Sequence, residues 1–224
     1  MNKIANVMVL VEGKTELFFI KNILAPYLAH KNVFLRASIL TKPGQPGSNK
    51  FVRAKKDIGA HLKQRANTWL TLLVDYYGID TDWPGYEESK KQNGHARKHW
   101  VMCEATKQQV GTLFAGQDAE HRFIPYISMH EFEALLFSDP AALAGGLGVD
   151  QSEINNILQQ CGEPEAINDS RETSPSHRLD SLSPIGFKKT TTGITIAEQI
   201  GIDAMRNKCP LFNDWINQLE ALTQ

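Results

Sequence analysis

The stretch Ile4-Ala-Asn-Val-Met-Val-Leu-Val11, closed by Glu12-Gly13, decides how the rest of the chain is read. A near-continuous run of apolar, β-branched residues is the habit of a strand buried on both faces, as in parallel sheets. Directly after it, Thr15-Glu-Leu-Phe-Phe-Ile-Lys-Asn-Ile-Leu24 carries apolar residues at helical spacing. Two further strands follow, Val33-Phe-Leu-Arg-Ala-Ser-Ile-Leu40 and Trp69-Leu-Thr-Leu-Leu-Val74, the second stopping at Asp75. Between them the pattern predicts a loop at Gly44-Gln-Pro-Gly47 and an amphipathic helix over 51–62. A helix over 97–111 then leads to a fourth strand, Arg122-Phe-Ile-Pro-Tyr-Ile127, whose Pro125 suits an edge. Strands alternating with helices predict an α/β fold, a mostly parallel sheet flanked by helices.

From Glu131 the pattern turns helical, over 131–137, 151–160, 195–200 and 211–222. In the last of these, Leu211, Phe212, Trp215, Ile216, Leu219 and Leu222 form a stripe fit for docking. The segment 163–184, rich in Pro, Ser, Asp and Glu, reads as an ordered loop. The expected organisation is an α/β core at 1–140 with a helical C-terminal extension at 141–224 packed on it.

With 224 residues and 42% hydrophobic content, the chain has material for one sizeable core. Lys plus Arg total 24 against 25 for Asp plus Glu, so any nucleic-acid contact must come from a local patch. Basic residues do concentrate locally. One cluster is Arg36, Lys42, Lys50, Arg53, Lys55, Lys56, Lys63 and Arg65; the other is Lys90, Lys91, His95, Arg97, Lys98 and His99. They are read either as solvated helix faces or as surfaces that track phosphates. Cys103, Cys161 and Cys209 make neither a disulfide framework nor a zinc knuckle. No run is long enough to span a bilayer, and the N-terminus lacks the greasy region of a secretory signal. A cytoplasmic protein without membrane contact is expected.

Ligands of open α/β sheets bind beyond the carboxyl ends of the strands. Glu12 and Asp75 stand at two such ends; Asp80, Asp82, Glu87 and Glu88 follow Asp75, and Glu131 and Glu133 follow the fourth strand. Each alone reads as a cap or a surface charge. Together they predict a cation, because clustered carboxylates repel unless neutralised, and oxygen-only ligands select Mg²⁺ or Mn²⁺. Glu131 and Glu133, two apart, diverge on a helix, so one direct ligand is expected unless the segment starts in a loop. Glu133 is preferred, with His130 as a cap or a supporting partner. Gly13-Lys-Thr15 is not a phosphate-binding loop, since Met8 stands where that motif needs its first glycine. Gly13 is expected to serve the sharp strand-to-helix turn. Lys188 and Lys189 are candidates to bring a cation to a transition-state phosphate, or members of a solvated loop. Tyr76, Tyr77 and Trp83 are read as base-stacking, interface or core aromatics.

Val-Glu12-Gly-Lys-Thr-Glu16, followed by a strand ending in Asp75, resembles the Toprim domain of topoisomerases, bacterial primases and OLD-family nucleases. Longer strings resemble, over essentially the whole chain, a bacterial family of unknown function assigned a Toprim-like fold. They are Val-Asp75-Tyr-Tyr-Gly-Ile-Asp-Thr-Asp-Trp-Pro-Gly85, Phe123-Ile-Pro-Tyr-Ile-Ser-Met-His-Glu-Phe-Glu-Ala-Leu-Leu-Phe-Ser-Asp-Pro140 and Ile167-Asn-Asp-Ser-Arg-Glu-Thr-Ser-Pro-Ser-His-Arg178. The resemblance implies that Glu12 is a metal ligand or general acid/base and Asp75 the first acid of the Toprim aspartate pair. Tyr77 stands where the second acid is due, so Asp80 or Asp82 would replace it or the site would hold one metal. Glu133 or Glu131 would be the later acidic ligand of OLD-type nucleases, and Lys188 or Lys189 their basic residue. No tyrosine matches the topoisomerase nucleophile, and no DNA-gate domain fits this length. The implied activity is a Mg²⁺- or Mn²⁺-dependent nuclease on DNA or RNA, in bacterial defence or repair, with a separate ATPase partner. The alternatives are a metal-binding, non-catalytic effector or a plain nucleic-acid binding module.

Overall fold

In the computed structural model, which describes residues 3–41, 50–167 and 173–224, the opening stretch forms β1 (Ala5–Val11) at the centre of a sheet. It pairs with β2 (Val33–Ile39) on one side and β3 (Trp69–Asp75) on the other, and β4 (Phe123–Ser128) pairs with β3. Among the described residues the order is β2-β1-β3-β4, and every pair is parallel. The central strands earn their places by composition: Val7, Val9, Leu10 and Val11 of β1 and Leu70, Leu72 and Val74 of β3 are buried. β4, with Pro125, lies at an edge, where a residue without an N–H breaks no ladder.

The step from β1 to β2 runs one way across the sheet, and the steps to β3 and β4 run the other way. Right-handed crossovers then put successive helices on opposite faces, and the reversal falls between β1 and β3. After β1 come α1 (Lys14–Phe19), a widened π turn (Ile20–Leu24) and α2 (Ala25–Ala29). The single helix expected there is interrupted because Pro26, without an N–H, sits at the start of α2. α3 (Phe51–Gln64) buries Phe51, Ala54, Ile58 and Leu62. Then come α4 (Tyr86–Lys90), α5 (His95–Leu113), which packs on β4, and the short α6 (Ala119–Arg122), which claims Arg122 from the predicted strand. The loop expected at 44–47 lies outside the described residues, as does Lys42.

The chain divides into two units, Met1–Met129 with Asn217–Gln224, and His130–Ile216. The second unit begins with a 3₁₀ turn (Phe132–Ser138) and continues through α7 (Pro140–Leu147), α8 (Gln151–Cys161), α9 (Pro175–Leu182) and α10 (Ile194–Lys208). It includes the first part of α11 (Pro210–Glu220). Asp139 accepts the Ala141 and Ala142 amides and Asp150 that of Ser152, so α7 and α8 start as acidic caps dictate. The loop expected at 163–184 is corrected: residues 168–172 lie outside the described set, but α9 follows. Ser174 accepts the His177 amide and Pro175 opens the helix, a start signal that the surrounding polarity masked. Glu165 caps α11 from a distance, accepting the Leu211 and Phe212 amides at 2.9 Å each. The stripe on α11 is buried at Phe212, Trp215, Ile216 and Leu219.

All three cysteines are free thiols. Among the described residues no helix is long and apolar enough to cross a membrane.

Gly85 shapes the loop after β3. Its φ is +82°, and an added Cβ would stand 2.8 Å from the Ala105 Cβ and 3.0 Å from the Val101 carbonyl of α5. Gly85→Ala therefore combines left-handed strain with overpacking, and should cost about 2–4 kcal/mol in urea unfolding. A loss below about 0.5 kcal/mol would show that the loop moves off α5 freely.

Candidate functional site

The candidate residues divide between the units: Glu12, Asp75, Asp80 and Asp82 in the first, and Glu131, Glu133, Lys188 and Lys189 in the second.

In the first unit the sheet itself brings two acids together. Val11 registers with Leu73, so Glu12 leaves the end of β1 beside the end of β3, where Asp75 stands. The Asp75 amide donates to Glu12 Oε2 at 3.4 Å. Gly78 backs the same carboxylate so closely that a Cβ there would lie 2.7 and 2.8 Å from its two oxygens. Glu12 and Asp75 are both half-buried and flank the reversal of strand order, the place where sheets of this kind hold ligands. Gly13 is not needed for an unusual turn, since its φ of −149° is extended backbone. It is needed for space, because a Cβ would approach Glu16 Oε2 to 3.1 Å.

The loop acids do different work. Asp82 accepts the Phe51 and Val52 amides at 2.9 and 3.1 Å, so both its oxygens cap α3. Asp80 takes the Thr81 amide and hydroxyl on one oxygen and lies 3.6 Å from the Lys50 ammonium on the other. Lys90 and Lys91 pair with Glu87 and Glu88 at 3.1 and 2.6 Å, which reduces the net charge of that basic cluster. Tyr76 and Trp83 are core: Tyr76 shares a hydrogen bond with Ser89, and the Trp83 indole N–H donates to Thr106. Tyr77 alone of the three points outward.

In the second unit Lys189 holds an acid pair. Its ammonium lies 3.3 Å from Glu131 and 3.1 Å from Glu133. Two acids two residues apart converge on one cation because Glu131 is extended and the 3₁₀ turn begins only at Phe132. The Ser176 amide donates to the other Glu131 oxygen at 3.0 Å. Burial alone would raise Glu131, but Ser176 and Lys189 outweigh it and hold the carboxyl below its ordinary range. Glu133 is only 1% exposed, and among the described residues its Oε1 has no hydrogen-bond partner. Burial pushes Glu133 up to about 7, against the pull of Lys189. Lys188 is exposed, so Lys189 is the lysine that meets the acids.

The Glu133 shift has a definite sign. A folded value near 7 above an ordinary 4.5 means that the folded state binds the proton more tightly. This stabilisation is present below pH 4.5 and is lost as pH rises through about 7. Glu133→Gln should therefore flatten the fall in melting temperature over that range, without abolishing it, because burial raises Glu165 to about 7 as well. Parallel profiles for wild type and variant would refute the assignment.

Among the described residues no three His, Cys, Asp or Glu side chains are placed to hold a metal ion together. Two carboxylates do fit the way Mg²⁺ is often held, with waters and substrate phosphate oxygens completing the shell. Glu12 and Asp75, joined by the Asp75 amide on the Glu12 carboxylate, are the candidates for such a pair. Gly78 and the capping role of Asp82 were not foreseen from sequence; the Gly in Tyr-Tyr-Gly78 was the signal for the first, and no local signal existed for the second.

Residues 11–220 match a family described as Domain of unknown function (DUF4276). No curated protein and no solved structure matches the chain.

Proposed function

The chain belongs to the DUF4276 family, whose function is unknown, and we propose that it is a Mg²⁺- or Mn²⁺-dependent phosphodiester hydrolase of Toprim-like type, acting on DNA or RNA. The observation that carries this reading is the pairing of Glu12 and Asp75 at the reversal between β1 and β3. Asp75 and Glu12 would hold the ion, and the missing side chain of Gly78 leaves the room in which the Glu12 carboxylate sits. The ion, when bound, supplies Lewis-acid stabilisation of charge developing on the phosphate. α5 contributes the positive end of its dipole, since it begins beside the end of β4, while the Asp82 carboxylate already occupies the start of α3 and ties it to the loop after Asp75. Lys50, held near Asp80, adds a cation for the substrate backbone. A separate ATPase partner and a role in defence or repair belong to this proposal through the Toprim resemblance alone, and a cytoplasmic setting through the sequence pattern alone.

A second reading, a metal-binding effector without turnover, is favoured by Tyr77, an exposed side chain where the resemblance calls for a second aspartate.

The test is cleavage of plasmid and single-stranded oligonucleotide across a Mg²⁺ and Mn²⁺ titration, comparing wild type with Asp75→Ala. Metal-dependent cleavage by wild type and none by the variant is expected. Equal cleavage by both sinks the proposal. Metal binding by calorimetry that Asp75→Ala removes, with no cleavage by wild type, selects the effector.

A further inference from the structure

An aromatic side chain left in water keeps a π-face open to a flat ligand. Two such side chains stand at the carboxyl end of the sheet. Tyr77, 54% exposed, follows Asp75 by two residues. Its ring is braced edge-on against Tyr76 at 5.3 Å, and Tyr76 is in turn stacked on Tyr86 at 5.8 Å. Trp100, 53% exposed, lies in the second turn of α5. Its neighbour His99 fixes that turn in place: its Nδ1 is 2.8 Å from the Ile127 carbonyl, and Ile127 registers with Val74, next to Asp75.

A cation lies against Trp100, and another, already paired with Glu87, lies against Tyr86, two rings along from Tyr77. The Arg97 guanidinium lies 4.8 Å from the Trp100 ring centre, and among the described residues Arg97 is paired with no carboxylate. The Lys90 ammonium lies 4.5 Å from the Tyr86 ring centre. Flat rings beside cations suit a ligand that offers both π-faces and phosphates. Bases in a duplex are stacked on each other and hide those faces; unpaired bases present them.

We propose that the rim formed by Tyr77 and Trp100 with Arg97 is a stacking platform that selects single-stranded nucleic acid. The inference rests on the hydrolase reading for its setting, but binding can be read without cleavage. Fluorescence anisotropy in EDTA with a labelled oligonucleotide, as single strand and as duplex, separates the two. The single strand should bind about tenfold or more tighter, and Tyr77→Ala and Trp100→Ala should each weaken it about 5- to 100-fold. Trp100→Phe, which keeps a ring, should stay within about threefold of wild type. Both positions are exposed, so the variants should melt like wild type.

Equal affinity for the two forms, alanine variants that bind like wild type, or no binding at all would each overturn the platform. Selective, ring-dependent binding with no cleavage at any Mg²⁺ or Mn²⁺ concentration would uphold the platform and remove the hydrolase instead.

Discussion

Glu12→Gln is expected to lower metal-dependent cleavage by roughly a thousandfold or more, with little change in melting temperature. Gln keeps the shape and can still accept the Asp75 amide, so the fold loses almost nothing. What it loses is the negative charge, which a hard divalent ion requires. Gly78→Ala makes the companion case. Its Cβ would fall 2.7 Å from a Glu12 oxygen, but that oxygen is the far end of a flexible side chain and can swing away. Stability should change by less than about 1 kcal/mol, while cleavage falls by about ten- to a hundredfold through misplacement of the carboxylate. Gly78 is thus a positioning residue. The readouts are kcat at saturating metal, the apparent metal affinity and the melting temperature. A Gly78→Ala protein that cleaves and binds metal like wild type would remove the positional argument.

Arg122→Ala should be among the most damaging changes to the fold. Arg122 is 8% exposed, and its guanidinium donates to the carbonyls of Leu62, Arg65, Thr68 and Gln117. Leu62 and Arg65 belong to the end of α3, so the buried charge is stabilised by carbonyls that the helix leaves open there. Removing it strips several acceptors of their donor at once, and we expect a loss of about 3–5 kcal/mol in urea unfolding. Arg122→Lys should recover only part, since an ammonium cannot span the same fork of acceptors. A loss under about 1 kcal/mol for the alanine variant would mean that water replaces the guanidinium.

The strands were legible because burial on both faces writes itself as unbroken apolar runs, as in β1 and β3. Glu12 and Asp75 followed from their places at strand ends. What a one-dimensional pattern cannot carry is a bond between distant parts. Asp82 caps α3 from far along the chain, and Arg122 closes the same helix, so both read locally as an ordinary loop acid and the start of a strand. α9 was hidden because Ser174 and Pro175 start a helix yet also belong to loop composition. The geometry of Glu131 and Glu133 turned on a backbone detail, an extended residue before a 3₁₀ turn, which the sequence left open. Tyr76, Tyr77 and Trp83 shared one set of possible roles until burial separated the core pair from the exposed ring.

The pairing of the two strand-end acids also sets when the site can exist during folding. Glu12 and Asp75 are 63 positions apart, and they meet only through the parallel register of β1 with β3. Parallel pairing needs its crossover closed first, which makes such contacts late and slow. Helical signal should therefore return in early phases of refolding, before any property that depends on both acids. A chain nicked between β1 and β3 would have to dock its two pieces to regain the pair, so its recovery should depend on protein concentration.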